Sequence, residues 1–148
     1  MRISGKYQLA ASSQKIWQML NDPQVLARIT PGIQSLEEVA PDHYKAISEV
    51  KIGPVKGRFS GDLRITDKNP EKSSVVELNQ QSKIGNAKAR ITMELHIIDD
   101  AHTEIQYSGE AQVSGMLARM GQRLISGVVS TLAKQFFEAL AGEINQET

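Results

Sequence analysis

The chain contains no cysteine. Disulfides and thiolate metal sites are therefore excluded, and a chain of 148 residues must be held together by burial, which its length allows. A reducing compartment is permitted. Aromatic side chains are scarce, with three Phe, three Tyr and one Trp, so bulky core filler is limited. Neither sign of charge is in excess: Lys+Arg and Asp+Glu stand at 17 each. A nucleic-acid binder is usually more basic, and nucleic acid is not an expected partner. Long apolar runs are also missing. Met1 to Leu9 mixes Arg2 and Lys6 with apolar residues, and the helical segment near the end carries Arg, Lys and Glu. Neither reads as a signal peptide or a membrane span. No repeat, linker or low-complexity stretch interrupts the chain, and residues 1–148 read as a single domain.

What the chain does have is patterning. Ile3, Gly5, Tyr7 and Leu9 alternate with polar residues over 2–9, as in a half-buried strand. Ser12 or Ser13 can cap a helix with Ile16, Trp17 and Leu20 on one face. Asn21-Asp22-Pro23 stops it and starts a second short helix, with Pro at an allowed first position. Pro31-Gly32 ends that one. Strands over 33–40 and 43–52 flank a turn at Pro41-Asp42, and Tyr44, Ala46, Ser48, Val50 and Ile52 share a face. After a break at Gly53-Pro54, Val55, Gly57, Phe59, Gly61, Leu63 and Ile65 keep a period of two. A turn over 67–72 precedes a more polar strand over 73–82, and Gly85-Asn86 turns the chain again. Ala87, Ala89, Ile91, Met93, Leu95 and Ile97 then face one way, before a turn at Asp99-Asp100. The last strand carries Ile105, Tyr107, Gly109, Ala111 and Val113 on one face.

From about Leu117 the period becomes that of a helix. Leu117, Met120, Gly121, Leu124, Val128, Leu132, Phe136, Leu140 and Ile144 form one stripe at three- and four-residue steps. Short turns favour antiparallel pairing. A sheet with one apolar face needs a cover, and only the C-terminal helix is long enough. The predicted fold is α+β. It has a curved antiparallel sheet of about seven strands wrapped around a long C-terminal helix, with two short helices after the first strand.

Several pieces resemble the carbon monoxide dehydrogenase G-subunit family, part of the helix-grip, START-like superfamily. Ile16-Trp17 through Asn21-Asp22-Pro23 and then Pro31-Gly32 resemble its early signature. Val50-Lys51-Ile52-Gly53-Pro54-Val55-Lys56-Gly57-Arg58-Phe59-Ser60-Gly61 resembles the central one. Thr103 to Tyr107, and Gly115-Met116-Leu117-Ala118-Arg119-Met120-Gly121, resemble the late pattern. The resemblance implies an accessory protein of molybdenum hydroxylases such as carbon monoxide dehydrogenase, or of a related oxidoreductase. It also implies recruitment of that enzyme to the cytoplasmic membrane and carriage of a hydrophobic small molecule, a quinone being one extension. Some members carry a C-terminal extension that could tether them to a membrane. Here Glu147-Thr148 follow soon after the helix, so a peripheral, reversible contact at the cytoplasmic side is the expectation.

Candidate ligand-facing residues are Tyr44, Val50, Phe59, Leu63, Ile91, Met93, Tyr107, Met120, Leu124 and Val128, with Tyr44, Tyr107 and Ser48 as polar anchors. The same residues would serve as plain core. The small residues Gly57, Gly61, Gly109 and Gly121, and the scarcity of aromatics, favour space beneath the helix. In a meander, alternate turns share an end, so Gly53-Pro54 and Gly85-Asn86 meet the start of the long helix at a mouth. Lys51, Lys56, Arg58, Lys83, Lys88, Arg90, Arg119 and Arg123 gather there, opposite Asp42, Asp67, Glu71, Asp99, Asp100, Glu138, Glu143 and Glu147. A basic rim of that kind attracts an anionic membrane.

Catalytic constellations are lacking. His43, His96 and His102 are scattered and no Ser has a neighbouring base. No Gly-rich phosphate loop occurs, no cofactor is implied, and Asp99-Asp100-His102 reads as a turn rather than a metal site. Glu77 is the best acid for a cyclase-type cavity enzyme. Three readings follow: a lipophilic carrier and recruitment factor, a protein-docking adaptor with a filled core, and a small cavity enzyme.

Overall fold

The computed structural model describes residues 1–146; Glu147 and Thr148 lie outside the described residues. Among those described, β1 (Arg2–Leu9) leads into α1 (Ser13–Leu20) and α2 (Pro23–Ile29). Six strands follow: β2 (Ile33–Ala40), β3 (His43–Ile52), β4 (Val55–Asn69), β5 (Ser73–Gln81), β6 (Ala87–Asp99) and β7 (His102–Val113). The described chain ends in α3 (Gly115–Arg119) and α4 (Gln122–Gln146). The strands form one antiparallel sheet in the order β1-β7-β6-β5-β4-β3-β2, the predicted helix-grip arrangement.

Local chemistry explains the punctuation. Ser12 Oγ accepts the Lys15 N–H at 3.2 Å, and Asp22 Oδ1 accepts the Gln24 N–H at 2.9 Å, so each short helix has its N-cap. Gly32 lies at φ +68, and a Cβ there would sit 2.1 Å from the Glu49 carbonyl oxygen. Only glycine lets this turn close on β3, where the Glu49 N–H donates to Gly32 O at 2.9 Å. β4 runs on to Asn69, past the turn expected at 67.

The C-terminal stripe is two helices rather than one. Gly121, at φ +93, separates α3 from α4. A left-handed residue ends a helix, yet the three- and four-residue spacing of apolar positions continues across the break, which is why the pattern reads as continuous. By length and composition α4 is also apolar enough to cross a membrane, despite its charges. In the fold it lies across the inner face of the sheet, with Ile125, Val128, Phe137, Leu140 and Ile144 buried.

The core is divided. One cluster fills the closed end, where Leu9, Ile16, Leu26, Ile29, Tyr44, Ile65, Ile105, Phe137 and Leu140 join α1, α2 and the second half of α4 to the sheet. The other sits at the mouth, around Val55, Phe59, Leu117, Ile125 and Val128. The accessible surface is 8458 Å², against about 7,500 Å² for an average folded chain of this mass.

Candidate ligand-binding interior

The strand register aligns rows across the face turned toward α4. One row runs Ile65, Val76, Ile91, Gly109, Ile3, and the next runs Leu63, Leu78, Ala89, Ala111. Val76, Leu78, Ala89 and Ile91 are half-buried and belong to neither core cluster. Side chains in central strands beneath a helix ordinarily vanish from solvent. Here the helix backbone runs near α2 and β1 and does not approach β4, β5 or β6 comparably. An apolar strip between the two clusters therefore stays only half-buried.

The predicted ligand-facing residues divide between these regions. Phe59 and Val128 are packed within the mouth cluster, and Val50, Met120 and Leu124 lie against it. Tyr44 is sealed in the closed-end cluster at 1% exposure, and Leu63, Met93 and Tyr107 border it. Burial, and next the Glu38 carboxylate, push the Tyr44 phenol well above its ordinary range. Ile91 lies on the half-buried strip.

The glycines tell a different story from the one expected. A Cβ on Gly61 would lie 2.0 Å from Asn79 O, and one on Gly109 would lie 2.1 Å from Arg90 O. These two positions permit close strand approach rather than leaving room under the helix. Ile84 already fills the space above Gly57, at 3.2 Å from its notional Cβ. Gly121 alone of the four has nothing within 4 Å.

The mouth is closed along its axis. The Leu117 N–H donates to Ile84 O at 2.9 Å, the Ser114 N–H to Asn86 O at 3.0 Å, and the Asn86 N–H to Ser114 Oγ at 3.1 Å. The β5–β6 turn is thus clamped to the start of α3. Crevices open instead on both flanks of α4. One, of about 380 Å³, lies between the β2–β3 edge and the helix, with Ile33, Val50, Ile52 and Leu132 beneath Gln34, Glu49 and Lys51. The other, of about 420 Å³, lies between β7 and the α3–α4 junction and includes Val113, Leu117, Gly121 and Ile125.

Two polar groups on the inner face escaped the sequence reading. Tyr7 of β1 stacks on Phe137 at a centroid distance of 4.5 Å, and Tyr107 stacks on the same ring at 5.7 Å. Tyr7 was visible in the β1 alternation, but only the pairing of β1 with β7 brings it beside Tyr107. Gln80 continues the alternation of Val76 and Leu78. Its Nε2 donates to Asp62 O at 3.2 Å, and its Oε1 is buried without a partner.

The basic rim is smaller than expected. Arg90 lies on the outer face, where it is hydrogen-bonded to Glu77 and reaches Asp67 at 3.1 Å. The register places Arg90 opposite Glu77 in mid-sheet, away from the mouth. Lys51 pairs with Glu49 at 3.0 Å, and this ammonium is the main reason the Glu49 carboxyl is held below its ordinary value. Arg58 contributes to the same shift. Lys56, Lys83, Lys88, Arg119 and Arg123 are exposed and have no acidic partner among the described residues. Gly53 and Pro54 form the hairpin tip beside them. The acidic end is partly neutralised, since Asp42 meets Lys68 at 3.2 Å and Glu143 meets Arg28 at 2.5 Å.

Glu77 shares the outer face with Arg64 and Arg90, so the acid considered for a cavity enzyme is outside the interior. Asp99 accepts the Ala101 N–H at 2.8 Å and meets His102 Nδ1 at 2.9 Å, forming a hairpin turn. Among the described residues no group of three or more His, Asp or Glu could hold a metal ion.

The family of the carbon monoxide dehydrogenase G subunit, CoxG, matches residues 5–145. The chain belongs to the CoxG family. A conserved protein from Geobacillus kaustophilus shares 30% identity, with 99% of this chain and 96% of that chain covered, at a TM-score of 0.95. A START superfamily protein from Mycobacterium smegmatis is 16% identical over 99% of each chain, at a TM-score of 0.80. The Zhui aromatase/cyclase from Streptomyces sp. R1128 is 13% identical, with 99% of this chain and 94% of that chain covered, at a TM-score of 0.71. The last two share the fold. No curated protein matches the chain. CoxG membership and the START-like fold support an accessory role built on binding a hydrophobic ligand.

Proposed function

We propose that this CoxG protein is a non-catalytic carrier. It takes up a lipophilic molecule, with quinones as the leading class, between the sheet and α4. By docking on an anionic membrane at the cytoplasmic side, it couples a molybdenum hydroxylase such as carbon monoxide dehydrogenase to that membrane. The observation that carries this reading is the half-buried strip of Val76, Leu78, Ala89 and Ile91 between two separate core clusters. Apolar surface left bare inside a fold is destabilising unless something covers it, at about 25 cal/mol per Å². A flat apolar molecule entering beside α4 would supply that cover.

The packed mouth cluster favours a second reading, an adaptor that binds the client and no ligand. The cyclase reading has lost its best acid, because Glu77 faces outward. Organic extraction of the purified protein followed by mass spectrometry separates carrier from adaptor. A stoichiometric quinone or other isoprenoid lipid is the expected result. A clean extract, both before and after incubation with membranes, overturns the carrier and leaves the adaptor.

A further inference from the structure

The half-buried strip ends on an amide. Gln80 follows Val76 and Leu78 at two-residue steps along β5 and shares their face. Across the ladder it stands opposite Gly61 of β4 and Ala87 of β6. Its exposure is 9%. Its Nε2 donates to the Asp62 backbone oxygen at 3.2 Å. A backbone carbonyl can only accept, so this bond fixes which end of the amide is nitrogen. The planar group then turns its oxygen away from that contact. Oε1 is buried and has no hydrogen-bond partner among the described residues.

An unmet buried carbonyl oxygen is uncommon and costs stability. An ordered water is a poor answer here, because a buried water is held by about two to four polar partners. Gly61 and Ala87 offer no polar side chain, and Leu78 lies next along the strand. The diagonal neighbours on this face are Phe59, Leu63 and Ala89, all apolar. Ser82 is already engaged, since its Oγ donates to Gly85 O at 2.5 Å and accepts the Ile84 N–H at 3.2 Å. The inner face thus holds an acceptor, walled by apolar groups, that lacks a donor.

We propose that Gln80 Oε1 accepts a hydrogen bond from a hydroxyl of the bound lipophilic molecule, whose apolar body lies on Leu78, Ala89 and Ile91. The proposal rests on the carrier reading and deepens it by naming a functional group of the cargo. A molecule that brings a donor satisfies the amide. One that presents only a carbonyl or ether oxygen sets two acceptors face to face and leaves both unmet. Within the quinone class this selects the reduced hydroquinone, which carries O–H groups, over the quinone, which has none.

The test uses delipidated protein, calorimetry and two probes of one shape. Naphthol donates a hydrogen bond, whereas methoxynaphthalene keeps the oxygen and has no donor. Native protein is expected to prefer naphthol by about tenfold. Gln80→Leu should weaken naphthol by roughly five- to tenfold and leave methoxynaphthalene within about twofold. A merely structural role for Gln80 would move both probes together, and the comparison in native protein stands without any variant. Equal affinities in native protein, or a preference that survives Gln80→Leu, overturn the acceptor while the carrier stands. If neither probe binds native protein, the carrier reading falls and the acceptor with it.

Discussion

At the scale of single residues, glycine serves opposite ends in this chain. Gly109 sits where β6 and β7 crowd together, and an added methyl would strike the Arg90 carbonyl oxygen and the Ile91 Cα. Backbone cannot step aside as a side chain can. Gly109→Ala should destabilise by about 3 kcal/mol or more. Gly127 lies inside α4 with nothing within 4 Å of its notional Cβ, so Gly127→Ala should stabilise by about 1 kcal/mol through helix propensity. Urea denaturation of the two variants, read against native protein, checks both signs. Asp62 offers a pH test. Lys45 at 2.8 Å and then His43 at 2.7 Å lower its pKa from 3.8 to about 2. A depressed carboxylate stabilises fully above its unfolded pKa and loses that contribution as pH falls through the folded value. Stability should drop between about pH 4 and pH 2, and Asp62→Asn should flatten that part of the curve. Equal slopes in acid titrations of native and variant protein would count against the pairing.

At the scale of elements, α3 and its hinge are the least expected part. Gly121 takes φ +93, a conformation that strains any residue with a Cβ. Gly121→Ala should cost about 1–3 kcal/mol, although space around it is open, and thermal unfolding would register the loss. Unchanged stability would mean that the break does not need the left-handed residue. The strand plan was legible because period-two alternation survives burial on one face: Val55, Phe59 and Ile65 face inward as the alternation predicts. The α3–α4 break was not legible, because a single left-handed glycine leaves the spacing of Leu117, Met120 and Leu124 undisturbed. Site residues were legible as a face but not as a place. Tyr44 and Ile91 carry the same inward signal, yet one is sealed and the other only half-buried, since that depends on how closely its neighbours pack over each strand. Arg90 was misplaced for a related reason. Its partner Glu77 is set by the β5–β6 register, which no local pattern encodes.

At the scale of the whole molecule, zero formal charge conceals an uneven surface. Lys56, Lys83, Lys88, Arg119 and Arg123 lack acidic partners among the described residues, and Met116, beside them on α3, is 53% exposed. Cations near an anionic bilayer contribute about 1 kcal/mol each and are screened within a Debye length of about 8 Å at physiological salt. Cosedimentation with phosphatidylglycerol vesicles should therefore be strong at low salt and weaken at physiological salt. Lys83→Gln, Lys88→Gln, Arg119→Gln and Arg123→Gln together should abolish it. Vesicle binding that survives the fourfold change would place the contact elsewhere on the surface.

The sheet order has a consequence for how the protein is made. Each strand from β2 to β7 pairs with the one before or after it, so those hairpins can form as the chain leaves the ribosome. β1 emerges first but pairs with β7, with Leu9 opposite Thr103 and Arg2 opposite Glu110. At synthesis rates of about 5–20 residues per second, β1 waits roughly 5–20 s for its partner. During that wait Ile3, Tyr7 and Leu9 are bare, and α4 has yet to be translated. The sheet face can thus be assembled before α4 joins it, with only α1 and α2 at hand to cover its closed end.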